Sequence, residues 1–161
     1  FNLYYDKDGM IASKGIVNNK FVKDFMNDTY FKIKYPKSLD NNYFKKYLTK
    51  IDSLDISLTD KLSTLLECTI QSIVKAILEL PKEPKNIMIL GGGYKNKRMV
   101  YRLQNCLKIN FLFEEDFNFS SDFIESELIA FLSARIINNL PTTFPSTTGV
   151  KKPTIGGKIY F

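Results

Sequence analysis

The chain has 161 residues, 44% of them hydrophobic and 25% charged, with a net charge of +6 and no histidine. That length and composition fit one ordinary globular domain. The missing histidine excludes imidazole metal sites, histidine general bases and Ser-His-Asp triads. No run approaches the roughly 20 apolar residues of a membrane span, and no secretory leader pattern is present. The lysines are spread along the chain, and the densest groups, Lys95-Asn96-Lys97-Arg98 and Lys151-Lys152, are short. The charge therefore reads as a solvated basic surface rather than a nucleic-acid footprint. Cys68 and Cys106 lie in apolar helical patterns, as small buried hydrophobes of a reducing cytoplasm would. The chain opens on Phe1 rather than methionine, and an N-terminal portion is expected to precede it.

In chain order, Asp6-Lys7-Asp8-Gly9 is a turn signal between short apolar runs, consistent with an extended or hairpin-like piece. Asn18 or Asn19 can cap a helix with Phe21, Val22, Phe25 and Met26 on one face. Pro36 ends the next stretch, and Asp40 is expected to cap a helix burying Tyr43, Phe44, Tyr47, Leu48 and Ile51. The strongest helical pattern spans about residues 58–80, opened by a Ser57/Asp60 box and stopped by Pro81 and Pro84. Asn86-Ile87-Met88-Ile89-Leu90 then reads as a buried strand breaking into three glycines. A helix from about Lys97 and a strand at Phe111-Leu112-Phe113 complete a βαβ unit with parallel strands. A last long helix is expected from Asp122, boxed by Glu125, with Ile124, Leu128, Phe131, Leu132 and Ile136 as its inward stripe. Beyond it lies a loop to Gly157 and a closing strand at Ile159-Tyr160-Phe161.

Three segments can carry chemistry. Gly91-Gly92-Gly93 ends a buried strand, where backbone without Cβ atoms can approach a ligand and present N–H groups. It matches neither the P-loop nor the dinucleotide fingerprint, and a flexible strand-to-helix turn is the plain alternative. Asn96 either caps the following helix or touches a bound nucleotide. The Asp122-Phe123-Ile124-Glu125 segment reads by spacing as a capping box. Phe144-Pro145-Ser146-Thr147-Thr148-Gly149 is a hydroxyl-rich turn that either binds a sugar or phosphate or folds over a sheet. Pro36-Lys37-Ser38 offers a lysine after a turn, although exposed lysines usually do nothing specific.

Taken together, several of these segments resemble the bacterial anhydro-N-acetylmuramic acid kinases. The motifs are Tyr5-Asp6-Lys7-Asp8-Gly9, Tyr30-Phe31 with Pro36-Lys37-Ser38, Ile89-Leu90-Gly91-Gly92-Gly93 with Asn96, and Asp122-x-x-Glu125. Leu140-Pro141 leading into Phe144–Gly149 and the Gly156-Gly157 pair complete the set. The resemblance covers the whole of residues 1–161 and only the C-terminal half of the family's protein. It implies an α/β fold, the C-terminal lobe of an actin-like (ribonuclease H-like) ATPase, with a mixed sheet flanked by helices. It implies a cytoplasmic enzyme that uses ATP and Mg²⁺ to open the anhydro bond with water and phosphorylate the 6-hydroxyl. The product, N-acetylmuramic acid 6-phosphate, enters peptidoglycan recycling.

On that resemblance Gly91, Gly92, Gly93 and Asn96 form the nucleotide side, and Asp122 and Glu125 lie near the sugar. The catalytic aspartate and the first phosphate loop are expected in the N-terminal half, a partner this chain needs for turnover. A homodimer is left open, and no nucleic-acid or membrane partner is implied. Departures from the family pattern are Ser126 in place of alanine, Asn118 in place of glycine, and a bulky Tyr94 after the glycines. The alternative is a non-catalytic remnant that binds a nucleotide or a partner.

Overall fold

The computed structural model describes residues 4–40, 42–117 and 120–160. The Asp6–Gly9 segment winds rather than extends, as a 3-10 turn at Lys7–Gly9 followed by another at Ala12–Lys14. Asp6 explains the difference from the expected hairpin-like piece. Its carboxylate accepts from the backbone N–H groups of Ile11 (2.8 Å) and Ala12 (2.9 Å), satisfying donors a strand would have had to pair. Helix α1 (Asn19–Met26) starts where Asn18 accepts from the Phe21 N–H at 3.0 Å, and it buries Phe21, Val22 and Phe25.

Helix α2 (Lys45–Asp52) begins later than the sequence pattern places it, with Phe44 rather than Asp40 at its cap. Asp40 instead closes a local turn onto the Asn42 N–H at 2.6 Å, a competition short acidic side chains often win. Tyr47 and Ile51 are buried and Phe44 packs beside them, whereas Tyr43 and Leu48 remain largely exposed.

Helix α3 (Leu58–Leu78) follows the expected period, and Ser57 accepts from the Asp60 N–H at 3.1 Å. Its face divides between two apolar clusters. Cys68 joins Phe21, Val22, Phe25, Phe31, Tyr47 and Ile51, while Ile70 and Val74 join Met99, Leu103 and Leu107. Both cysteines are free; Cys68 is buried, and desolvation pushes its thiol up to about 12. The apolar-run reading of Cys68 therefore holds.

Strand β1 (Asn86–Met88) and strand β2 (Asn110–Leu112) pair in parallel, Ile87 opposite Phe111, joined by helix α4 (Lys97–Cys106). This is the βαβ unit read from the sequence. Glu67 on α3 receives a bidentate clasp from Arg102 on α4, at 2.8 and 3.0 Å, fixing the two helices side by side.

The C-terminal part departs most from expectation. The sheet among the described residues is two parallel strands. Ile159 and Tyr160 lie outside any strand, and Phe161 lies outside the described residues. A short apolar sequence matches a strand pattern, but it needs an edge to pair with. The local pairing found instead is a single antiparallel bridge between Thr143 and Thr154. Helix α5 (Ile124–Ile137) starts two residues after Asp122, behind a 3-10 turn, and none of its residues is buried. Of its predicted inward stripe, Ile124, Leu132 and Ile136 are half-buried, whereas Leu128 is 51% and Phe131 59% exposed. A single helical turn, α6 (Pro145–Thr148), follows.

Asp28 anchors the aromatic half of the core. Its side chain is buried and accepts from Tyr30 N–H (2.9 Å), Tyr43 Oη (2.7 Å), Tyr47 Oη (3.0 Å) and Lys46 Nζ (2.5 Å). Burial alone would raise its pKa; Lys46 and the three hydrogen-bond donors more than offset this and hold it well below the usual carboxylate range. A depressed folded pKa stabilises above the unfolded value near 3.9 and loses that contribution as pH falls through the folded one. Asp28→Asn should cost about 2–4 kcal/mol at pH 7. In denaturant titrations the gap between variant and parent should narrow as the pH drops below 4, since the unfolded parent then takes up a proton that folded Asp28 resists.

Candidate functional site

The glycine run sits where β1 ends. Ile89 extends the pairing by donating to the Leu112 carbonyl at 3.3 Å, after which Gly91 takes φ 78 and ψ 178. That region is open to glycine alone. Gly92–Lys95 then form one 3-10 turn, and Asn96 caps α4 by accepting from the Met99 N–H at 3.0 Å. Of the two sequence readings of Asn96, its side-chain oxygen performs the capping one.

A Cβ added at Gly91 or Gly92 would meet nothing within 4 Å, and one at Gly93 would touch only the flexible end of Met99, at 3.2 Å. The chain's own packing therefore does not require a glycine at position 92. What lies in front of it is a hollow of about 640 Å³, within the 300–1,000 Å³ range of small-molecule sites. Its floor is Gly92, Gly93, Asn96 and Met99, and its opposite wall is the Tyr5–Asp8 turn.

That wall is held against α4 by the fit of Gly9, where a side chain would collide with Asn96 and Arg98. An exposed ion pair between Asp8 and Lys97 at 3.6 Å adds to it. The sequence marks Asp6–Gly9 as a turn but does not place it at the glycine run. Tyr5 and Lys7 of that motif, and Lys95 of the short basic group, line the hollow without having been assigned to it by the sequence.

Lys95 also links the glycine turn to Asp122, through an exposed pair at 3.2 Å. The structure thus brings Gly92, Gly93, Asn96 and Asp122 into one neighbourhood. Glu125 stands exposed in the first turn of α5 and makes no box with Asp122, whose carboxylate is drawn to Lys95. Tyr94 turns away from the hollow. Its hydroxyl donates to Glu114, an interaction that, with desolvation, pushes its pKa to about 12, so it stays a neutral donor. It lines an adjoining depression of about 540 Å³ with Tyr101, Phe113 and Lys97.

The remaining sequence candidates make local contacts. Lys37 donates to the Tyr30 carbonyl at 3.3 Å and lies over its ring at 4.5 Å. Thr147 and Thr148 bond back to the Phe144 carbonyl, and Gly149 closes α6 in the left-handed region beside Pro36. Among the described residues no group of acidic or cysteine side chains is placed to hold a metal ion, and no helix is long and apolar enough to cross a membrane.

A family model for anhydro-N-acetylmuramic acid kinase matches residues 1–161. The chain belongs to the anhydro-N-acetylmuramic acid kinase family. It is 36% identical over 160 residues to the protein of that name from Zymomonas mobilis, covering 99% of this chain and 42% of the relative. The kinases from Roseobacter denitrificans (32% identical, 99% of this chain, 42% of the relative) and Brucella anthropi (34%, 96% and 40%) are similar in the same way. The chain spans about two fifths of the length of these curated relatives.

Gly91 and Gly92 should separate in stability measurements. Gly91→Ala should lower the unfolding free energy by about 1–3 kcal/mol, because φ 78 is strained for any side chain. Gly92→Ala should leave the melting temperature nearly unchanged, and Asn96→Ala should cost about 1 kcal/mol as a lost cap.

Proposed function

We propose that this chain is the nucleoside-binding, C-terminal lobe of an ATP-dependent anhydro-N-acetylmuramic acid kinase of actin-like architecture. The reaction is the one its family resemblance implies. Water opens the anhydro bond of the sugar, and the γ-phosphoryl group passes from ATP to the 6-hydroxyl released, leaving ADP and N-acetylmuramic acid 6-phosphate. The cytoplasmic recycling of peptidoglycan is the setting for that product.

The observation that carries the reading is Gly92: a Cβ-free position with clear space in front of it, over a hollow sized for a nucleoside. Gly92 and Gly93 let the backbone lie flat against the ribose or adenine, and the Tyr5–Asp8 turn bounds the ligand on the far side. Lys95, at the rim, offers a positive charge to a phosphate. Asp122 and Glu125, on the α5 side of Lys95, face the sugar when the cleft is complete.

The hollow fits the nucleoside end better than the triphosphate. The chain carries no P-loop sequence, and phosphoryl transfer depends on phosphate loops and a metal ion to position and neutralise charge. Mg²⁺ is assigned no ligand in this chain and belongs with the phosphates. The water-activating aspartate and the first phosphate loop are accordingly assigned to the rest of the family-length protein.

Calorimetric titration of the 161-residue chain tests this. Adenosine and ADP should bind with affinities within about tenfold of each other, because the contacts are to the nucleoside. Gly92→Val should weaken both at least tenfold, about 1.4 kcal/mol, with an unchanged melting temperature. Sugar phosphorylation should be absent from the chain alone and appear only with the rest of the enzyme. Absence of adenine-nucleotide binding, or indifference to Gly92→Val, would overturn the proposal; binding that never supports turnover would favour the non-catalytic remnant.

A further inference from the structure

A groove of about 360 Å³ runs between α3 and α4, and it shares no lining residue with the nucleotide hollow. Its size lies at the lower end of the 300–1,000 Å³ range of small-molecule sites. Helix α3 presents Ser63, Glu67 and Ile70 to it, and α4 presents Arg98, Arg102 and Asn105. Both sets follow the three- and four-residue spacings of a single helical face. Ala12 and Val17 add apolar lining from the N-terminal segment.

Two polar groups in this groove are left without partners. Ser63 is only 8% exposed, yet its hydroxyl makes no hydrogen bond to another described residue. On the same helix, Thr64 bonds back to the Asp60 carbonyl and Ser72 to the Cys68 carbonyl, each at 2.7 Å. Ser63 forgoes that bond and lines the groove instead, a costly arrangement for a buried hydroxyl unless something else supplies the partner.

The charges are also unbalanced. Glu67 is satisfied by Arg102 at 2.8 and 3.0 Å and by the Gln71 amide at 2.7 Å. That neutralises one guanidinium. Arg98, one turn earlier on the same face of α4, is half-buried, and its guanidinium has no ion pair or hydrogen bond among the described residues. One surplus positive charge therefore stands over an apolar floor of Leu66 and Ile70, where attraction is screened less than in open water.

We propose that the groove between α3 and α4 binds a small hydroxylated monocarboxylate, at a site separate from the nucleotide. The Arg98 fork takes the carboxylate in a bidentate pair. The Ser63 hydroxyl and the Asn105 amide pair with the ligand's hydroxyls. One surplus cation matches the single charge of a carboxylate better than the double charge of a phosphate monoester. At water's share of about 30 Å³ per heavy atom, the space suits a ligand of roughly a dozen such atoms. None of this depends on the kinase reading.

An NMR titration of the 161-residue chain with sodium D-gluconate at constant ionic strength tests the site. Sorbitol serves as the uncharged counterpart and inorganic phosphate as the rival anion. Gluconate should bind with a Kd of about 1 mM or tighter, moving the amides around Ser63 and Arg98 and leaving those of Gly92 and Gly93 in place. Sorbitol should bind at least tenfold more weakly. Arg98→Gln, which keeps the Cβ against which Gly9 rests, should weaken gluconate at least tenfold. Ser63→Ala should weaken it about fivefold with no loss of melting temperature, because no hydrogen bond disappears with the hydroxyl. Lys151→Gln, an equal loss of charge at an exposed position, should change nothing. The absence of gluconate binding, shifts centred elsewhere, equal binding of sorbitol, tighter binding of phosphate, or indifference to Arg98→Gln overturns the proposal.

Discussion

The first half of the fold depends on how closely residues 12–18 approach the opening turns of α3. A Cβ at Gly15 would collide with the Thr59 carbonyl, so only glycine lets the two backbones meet there. Around that contact, Asp60 accepts from the Ile16 N–H at 2.6 Å and fully buried Thr64 accepts from the Asn18 N–H at 3.0 Å. Hydrogen bonds from the Ile16 backbone and from Ser57 hold the Asp60 carboxyl below its ordinary pKa range. The Ser57/Asp60 box is therefore more than a helix cap. One carboxylate starts α3 and clamps the N-terminal segment to it.

Everything that bounds the hollow follows from this clamp. Residues 12–18 fix the turn before them through the Asp6 carboxylate, and that turn is the hollow's far wall. On the other side, Ile70 and Val74 of α3 seat Met99 and Leu103, and Glu67 locks Arg102, so α4 and its Asn96 cap are set from the same helix. The two walls are thus positioned by one rigid element, its opening turns setting one and its middle turns the other. Their spacing is insulated from the loops, which is what a preorganised site needs.

The sequence was legible where the determining forces are local. The period of α3, its Ser57 start and its proline stop all lie within the helix or next to it, and the apolar run before Gly91 suffices to mark a strand, although Ile87, Met88 and Ile89 are half-buried rather than buried and Leu90 is exposed. It was not legible where a distant partner decides. Asp122 and Glu125 carry the spacing of a capping box, yet Lys95, 27 positions earlier in the chain, takes the Asp122 carboxylate. The Tyr5–Asp8 wall could be read as a turn but not assigned to the glycine run, because Gly9 meets Asn96 and Arg98 only in the folded chain. The stripe of α5 was visible too; what the pattern does not encode is that Ile124, Leu132 and Ile136 find partners while Leu128 and Phe131 stay exposed.

The Lys95–Asp122 pair ties the rim of the hollow to the segment that opens α5. Both side chains are more than half exposed, and an ion pair of that kind contributes at most about 1 kcal/mol. A phosphate arriving at the hollow carries more charge than one carboxylate and competes for the same ammonium group. Taking Lys95 would free Asp122, two residues before α5. A weak, exposed pair is the right strength for such an exchange: it orders the rim of the hollow without opposing a ligand.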